Sequence, residues 1–158
     1  MFGKTTLVSI IVLCFAMLGN CTTVSPCTKG GSLDPIKSIN ITNCDEPPCE
    51  LKRNTVVTIE EKFVPDKDIE SLSTSAYAIS FFLRIPFSKV NGRDACEYIY
   101  DAEGNVTGCP LKAGTEYYYK REFRVLKRYP EVSGTAEWAL VENGTPITCF
   151  QVESKIIH

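Results

Sequence analysis

The runs Thr135-Ala-Glu-Trp-Ala-Leu-Val141 and Ile147-Thr-Cys-Phe-Gln-Val-Glu-Ser-Lys-Ile-Ile157, separated by Glu142-Asn-Gly-Thr-Pro146, decide the fold. In the first, Ala136, Trp138 and Leu140 oppose Glu137. In the second, Thr148, Phe150, Val152, Ser154 and Ile156 oppose Gln151, Glu153 and Lys155. Successive side chains of a strand point to opposite faces, so this period of two with one mostly apolar face marks strands that each cover a core on one side.

Working outward, runs of β-branched and aromatic residues broken by Pro, Gly and Asn clusters predict further strands over 36–42, 55–63, 76–85 and 117–128, with a short one at 24–28. In the 76–85 run, Tyr77, Ile79, Phe81, Leu83 and Ile85 share a face. No stretch reads as a long amphipathic helix, and no internal repeat or low-complexity tract is present. Seven strands, 135–141 and 147–157 included, with turn signals between them predict an all-β, two-sheet antiparallel sandwich of immunoglobulin-like shape.

The first residues read differently. Lys4 gives a short positive region, and Leu7 to Leu18 carry no charge, which suits a signal-peptide core and is short for a membrane span. Of the eight cysteines, a cut after Gly19 would leave seven and a cut after Cys21 leaves an even six. The expected organisation is therefore a signal peptide over 1–21 and one domain over 22–158, stapled by disulfides in an oxidising compartment. The formal net charge of −2 comes from interspersed acids and bases, without the basic stripe that a nucleic-acid partner would need. Asn40-Ile-Thr, Asn105-Val-Thr and Asn143-Gly-Thr are glycosylation sequons. Six cysteines allow fifteen pairings, and spacing alone does not choose among them. Two loops are suggestive, the Asp-Glu-Pro-Pro turn flanked by Cys44 and Cys49 and the Gly-containing loop flanked by Cys96 and Cys109.

Enzymatic chemistry finds little material. The single histidine is the terminal His158, so the usual Ser-His and Cys-His nucleophiles are missing. Glu60 and Glu61 are adjacent on a strand and point to opposite faces, which is wrong for a shared acid–base site. Asp66 and Asp68 sit in a Pro-Asp-Lys-Asp loop that reads as solvated charge, and no glycine-rich phosphate loop occurs. No catalytic residue, metal site or cofactor is expected.

Several local motifs point the same way. Asn40-Ile-Thr-Asn-Cys-Asp-Glu-Pro-Pro-Cys-Glu-Leu, Cys109-Pro-Leu-Lys-Ala-Gly, Tyr129-Pro130 and Glu137-Trp-Ala-Leu140 come in an order that resembles the Niemann-Pick C type 2 branch of the ML lipid-recognition family. The resemblance spans Cys27 to Ile157 and implies the bridges Cys27–Cys149, Cys44–Cys49 and Cys96–Cys109. It also implies a monomeric carrier, secreted or lysosomal, in which a tunnel between the sheets holds a sterol or fatty acyl lipid, handed over with help from a membrane or receptor partner. By position its lining here would include Ile41, Ile85, Pro86, Phe87, Val125, Tyr129, Pro130 and Trp138. Strand phase adds Phe63, Phe81, Leu83, Phe123, Phe150 and Val152.

The chain departs from sterol-carrying members of that branch. It keeps one proline in Ile85-Pro-Phe-Ser-Lys-Val-Asn-Gly, has Phe150 after the last cysteine in place of tryptophan, and has a longer loop between Cys96 and Cys109. These differences resemble arthropod members, whose ligand classes include fatty acids, sterols, semiochemicals and bacterial lipids. Two other readings stand beside the carrier. One is an extracellular protein-binding module with an ordinary filled core. The other is an innate immune sensor of bacterial lipid, with Lys89, Lys120, Arg121, Lys127 and Arg128 as a basic rim. A carrier should show an apolar cavity of roughly several hundred cubic ångströms.

Overall fold

The structure, a computed structural model, describes residues 21–158. The expected signal segment lies outside them except for Cys21. The strands are β1 (Ser25–Pro26), β2 (Ile36–Ile41), β3 (Cys49–Lys52), β4 (Val56–Phe63), β5 (Ser73–Ser80), β6 (Leu83–Pro86), β7 (Arg93–Asp94), β8 (Ile99–Tyr100), β9 (Tyr117–Arg124), β10 (Ser133–Glu142) and β11 (Thr145–Ile157). A 3-10 turn, Cys96–Tyr98, precedes β8.

Two sheets face each other in an immunoglobulin-like sandwich. The larger runs β1-β11-β10-β5-β6, with β3 also pairing β11 and β7 also pairing β5; the smaller runs β2-β4-β9-β8. The alternation in the opening quotation sets the inner face of the larger sheet. Trp138, Leu140, Thr148, Phe150 and Val152 are all buried, while Glu153 and Lys155 are exposed. The 13 residues of β11 make it the spine of that sheet, pairing with β1, β3 and β10. The facing side of the smaller sheet comes from Val57, Ile59, Glu61 and Phe63 of β4 and Tyr117, Tyr119, Arg121 and Phe123 of β9. The three disulfides are Cys27–Cys149, Cys44–Cys49 and Cys96–Cys109.

The structure departs from the expected strands at three places. The 76–85 run is two strands, because the chain reverses at Phe81 and Phe82 and Phe81 adopts φ 54°. No Gly, Asn or Pro marks this turn, and an unbroken apolar run reads as one continuous strand. The reversal and the observed phase put Thr74 and Ala76 inside and leave Tyr77 and Ile79 partly exposed on the other face. The second is β3, a strand not expected from the sequence, which adds a parallel pairing to the last residues of β11. Four residues beside Pro-Pro carry too short a pattern to be read. The 117–128 run stops pairing at Arg124, although Val125 remains buried and exchanges hydrogen bonds with Asn54 and Thr55.

Candidate functional site

The apolar seam between the sheets is built by residues from both. β2 brings Ile41, β4 Ile59 and β9 Phe123; facing them are Ala136 and Trp138 of β10 and Phe150 and Val152 of β11. Phe87, just beyond β6, closes one side and Leu51 of β3 the other. Four aromatic rings meet there. Phe87 lies 5.5 Å from Phe123, 6.4 Å from Trp138 and 6.3 Å from Tyr129, and Phe123 lies 5.6 Å from Trp138, centroid to centroid. Such tilted pairs are favourable beyond the area they bury.

The seam encloses a cavity of about 20 Å³ among these residues. A second space of about 20 Å³ shares Leu51, Phe87, Ala136 and Ser154 with it and extends to Ile79, Ser80 and Val132 beside the β5–β6 hairpin. Each has room for about one water molecule, far below the volume expected of an open lipid site. The larger hollows, about 410 Å³ beside Pro48 and Glu153 and about 390 Å³ beside Tyr100 and Tyr118, are open surface clefts rather than enclosed cavities.

Of the residues singled out from the sequence, Ile41, Phe87, Phe123, Trp138, Phe150 and Val152 converge on the seam. Tyr129 is half-buried against Phe87, and Val125 is buried outside the cavity wall. Phe63 packs at the far, closed end, 6.2 Å from Tyr117. Phe81, Leu83, Ile85, Pro86 and Pro130 are exposed and do not line the seam. Phe81 is 95% and Phe82 102% exposed, a bare apolar hairpin tip at the edge of the larger sheet. Sequence reasoning missed Cys49, Leu51, Ile59, Ala136 and Ser154; the alternation of β4 around Val57 and Phe63 would have supplied Ile59.

The proposed basic rim does not assemble. Lys120 is engaged with Glu60 at 3.2 Å, and Arg121 is buried, donating to the Asp94 carbonyl at 3.0 Å and stacked over the Tyr98 ring. Lys89, Lys127 and Arg128 are exposed, as are the sequon residues Asn40, Asn105 and Asn143. Cys27, Cys149 and Glu137 lie close together, but the sulfurs form a disulfide and Glu137 is held by Arg84 and Gln151, so they offer no metal site.

Below the seam the chemistry turns polar. Glu61 is wholly buried, and burial pushes its carboxyl up to about 7, with Thr148 pulling the other way. Burial likewise pushes the Tyr119 phenol up to about 12, against the hydrogen bond to Thr74. Glu60, the neighbour, faces outward to Lys120, as adjacent strand residues must.

A disulfide-stapled β-sandwich with an aromatic apolar seam between its sheets is the class that fold and site define. The ML domain family model matches residues 22–156, and the chain belongs to that family. Two insect proteins are similar to it. One is the ecdysteroid-regulated 16 kDa protein of Manduca sexta, 32% identical over 129 residues, covering 80% of this chain and 84% of that protein. The other is the NPC intracellular cholesterol transporter 2 homolog a of Drosophila melanogaster, 28% identical over 130 residues and covering 80% and 83%. Among solved structures, a Niemann-Pick type C2 protein from the Japanese carpenter ant superposes with a TM-score of 0.71 at 25% identity, covering 85% of this chain and 99% of that one. The chain is not an enzyme. Among the described residues, no helix is long and apolar enough to cross a membrane.

Proposed function

We propose that the protein is a secreted, monomeric carrier that takes an apolar ligand, a sterol or fatty acyl lipid, into the seam between its sheets. Residues 1–21 would direct export, and 22–158 would form the carrier, glycosylated at exposed sequons. The observation that carries this reading is the convergence of Phe87, Phe123 and Trp138 on an apolar space that neighbouring side chains leave incompletely filled. Kinship with a protein named as a cholesterol transporter supports it.

Occupancy requires the seam to widen, since about 20 Å³ holds no lipid chain. The driving force is available: burying about 16 methylenes at roughly 0.8 kcal/mol each yields on the order of 12 kcal/mol before the costs of ordering the ligand and parting the sheets. The exposed Phe81–Phe82 tip stands beside the second apolar space, so it is suited to rest in a membrane surface while a ligand passes.

One observation favours a protein-binding module instead, namely how nearly full the seam is. Native mass spectrometry of the secreted protein, with organic extraction of whatever co-purifies, separates the two. Sterol or fatty acid at close to one per chain supports the carrier. An empty protein that also refuses fluorescent fatty acid and sterol would leave the filled-core module standing.

A further inference from the structure

The outer face of the smaller sheet carries a cleft that the seam does not use. Register sets Tyr100 of β8 opposite Tyr118 of β9, Tyr118 opposite Lys62 of β4, and Lys120 of β9 opposite Glu60 of β4. Each neighbours a buried residue of its own strand, Ile99, Tyr119 or Glu61, and so points outward. Between this face and the turn at 101–104 lies an open cleft of about 390 Å³, lined by Tyr100 and Tyr118 with Glu60, Lys120 and Asp101. Its size falls within the roughly 300–1,000 Å³ usual for small-molecule clefts. Tyr118 is held there, its hydroxyl donating to Glu116 at 3.2 Å and Lys62 standing 5.7 Å from the ring centroid. The Lys120–Glu60 pair is half-exposed, so little binds the two to each other alone.

The turn that forms one wall of the cleft leads directly into the sequon Asn105-Val-Thr107. It is a closed hairpin. Tyr100 bridges Val106, the Asp101 amide donates to the Asn105 carbonyl at 2.9 Å, and the Thr107 amide donates to the Ile99 carbonyl at 2.9 Å. The Asp101 carboxylate accepts from the amides of Glu103 at 3.0 Å and Asn105 at 2.8 Å, and from the Asn105 side-chain amide at 3.4 Å. The nitrogen that bears an N-linked glycan is therefore beside a residue of the cleft wall. Asn105, Val106 and Thr107 are all exposed. The other sequon on this face, Asn40, pairs with Glu60 from β2, which leaves it two strands, or about 10 Å, from the column of Tyr118.

We propose that Asn105 carries an N-linked glycan whose inner sugars lie in this cleft, against Tyr100 and Tyr118; this rests on the secreted, glycosylated reading above. An N-acetylglucosamine ring presents C–H groups on its faces and hydroxyls at its rim. The faces suit the apolar bodies of the two tyrosines. The rim hydroxyls donate to the carboxylates of Glu60 and Asp101 and accept from Lys120. The openness of the cleft selects a tethered occupant. A free sugar on so open a surface binds weakly, whereas a glycan attached at the rim arrives at an effective concentration on the order of millimolar and needs no tighter site. Sugar then covers the half-buried tyrosines of this face, while the Phe81–Phe82 tip on the other sheet stays bare.

The test uses protein secreted by a cell line that makes only oligomannose glycans, which endoglycosidase H trims. Glycopeptide mass spectrometry reads occupancy of Asn40, Asn105 and Asn143, then the rate of trimming at each on native and on denatured protein. Asn105 should be occupied. Its trimming should be on the order of tenfold slower on native than on denatured protein, because the enzyme needs the glycan out of the cleft. Tyr118→Ser should restore most of that rate, and Tyr100→Ser serves if Tyr118→Ser is not secreted. Slow trimming that neither substitution relieves puts the sugars elsewhere and overturns the proposal. Equally fast trimming of Asn105 in both states overturns it while leaving the glycosylated reading intact, as does a bare Asn105 beside an occupied Asn40 or Asn143. Occupancy of no sequon overturns that reading and this proposal with it.

Discussion

Replacing Glu61 by glutamine should remove a pH dependence of stability that the unaltered protein displays between pH 5 and 8. Burial raises the folded-state pKa of Glu61 from 4.5 to about 7. Between those values the folded protein holds a proton that the unfolded chain has released, so raising the pH draws the equilibrium toward the unfolded state. The contribution is fully present below the unfolded value and is lost as pH rises through about 7. A difference of about 2.5 pKa units at about 1.4 kcal/mol per unit amounts to about 3 kcal/mol. Three other carboxyls shift the opposite way. The Ala113 amide holds Asp68 down, the Asn105 amide Asp101, and Lys67 Glu142, so their contributions fade only in more acidic solution. The window from pH 5 to 8 therefore isolates Glu61. Urea denaturation of ligand-free, disulfide-intact protein across that window should show falling stability for the unaltered chain and a nearly flat line for Glu61→Gln. Parallel slopes for the two, or stability that rises with pH in the unaltered chain, would refute the buried, unpaired carboxyl.

Three further outcomes follow from the packing. Loss of the Cys27–Cys149 bridge, whose partners are 122 residues apart, should cost about 5 kcal/mol, whereas loss of Cys44–Cys49, 5 residues apart, should cost about 2 kcal/mol; denaturant titration of the two double-serine variants checks the order. Trp138→Ala should cost about 3–5 kcal/mol in the same assay and abolish lipid uptake, because the ring is buried at the centre of the aromatic seam. Phe81→Ser with Phe82→Ser should leave the melting temperature within about a degree or two, since both rings are bare to solvent, yet reduce co-sedimentation with phospholipid vesicles. Unchanged vesicle binding would remove the hairpin tip from the handover.

The period-two runs of β10 and β11 made the sandwich legible because in each strand one face is mostly apolar, and Trp138, Phe150 and Val152 land where that alternation puts them. The 76–85 segment misleads for a physical reason. Phe81 and Phe82 are apolar yet solvated, so hydrophobicity there does not report burial, and the turn uses a left-handed phenylalanine that no composition rule flags. About half of the seam was visible, as the aromatic positions Phe87, Phe123, Trp138 and Phe150 together with Ile41 and Val152. Strand phase put Ala136 and Ser154 on the inner face without singling them out as lining, because small side chains carry no chemical signature, and Leu51 was missed because β3 was too short to read. Glu61 was noted only as pointing away from Glu60. That it points into the core follows from Val57, Ile59 and Phe63, its neighbours at steps of two.

Cys44 follows β2 at the edge of the smaller sheet, and Cys49 opens β3 at the edge of the larger, so their bridge clasps the two layers along one flank. Phe87 stands at the end of β6, on the opposite edge of the larger sheet. Were the layers to part for a ligand, they would part least at this clasp and most beside Phe87, like a door on its jamb. Entry would then be one-sided, its direction set by the staple that closes the shortest loop of the three.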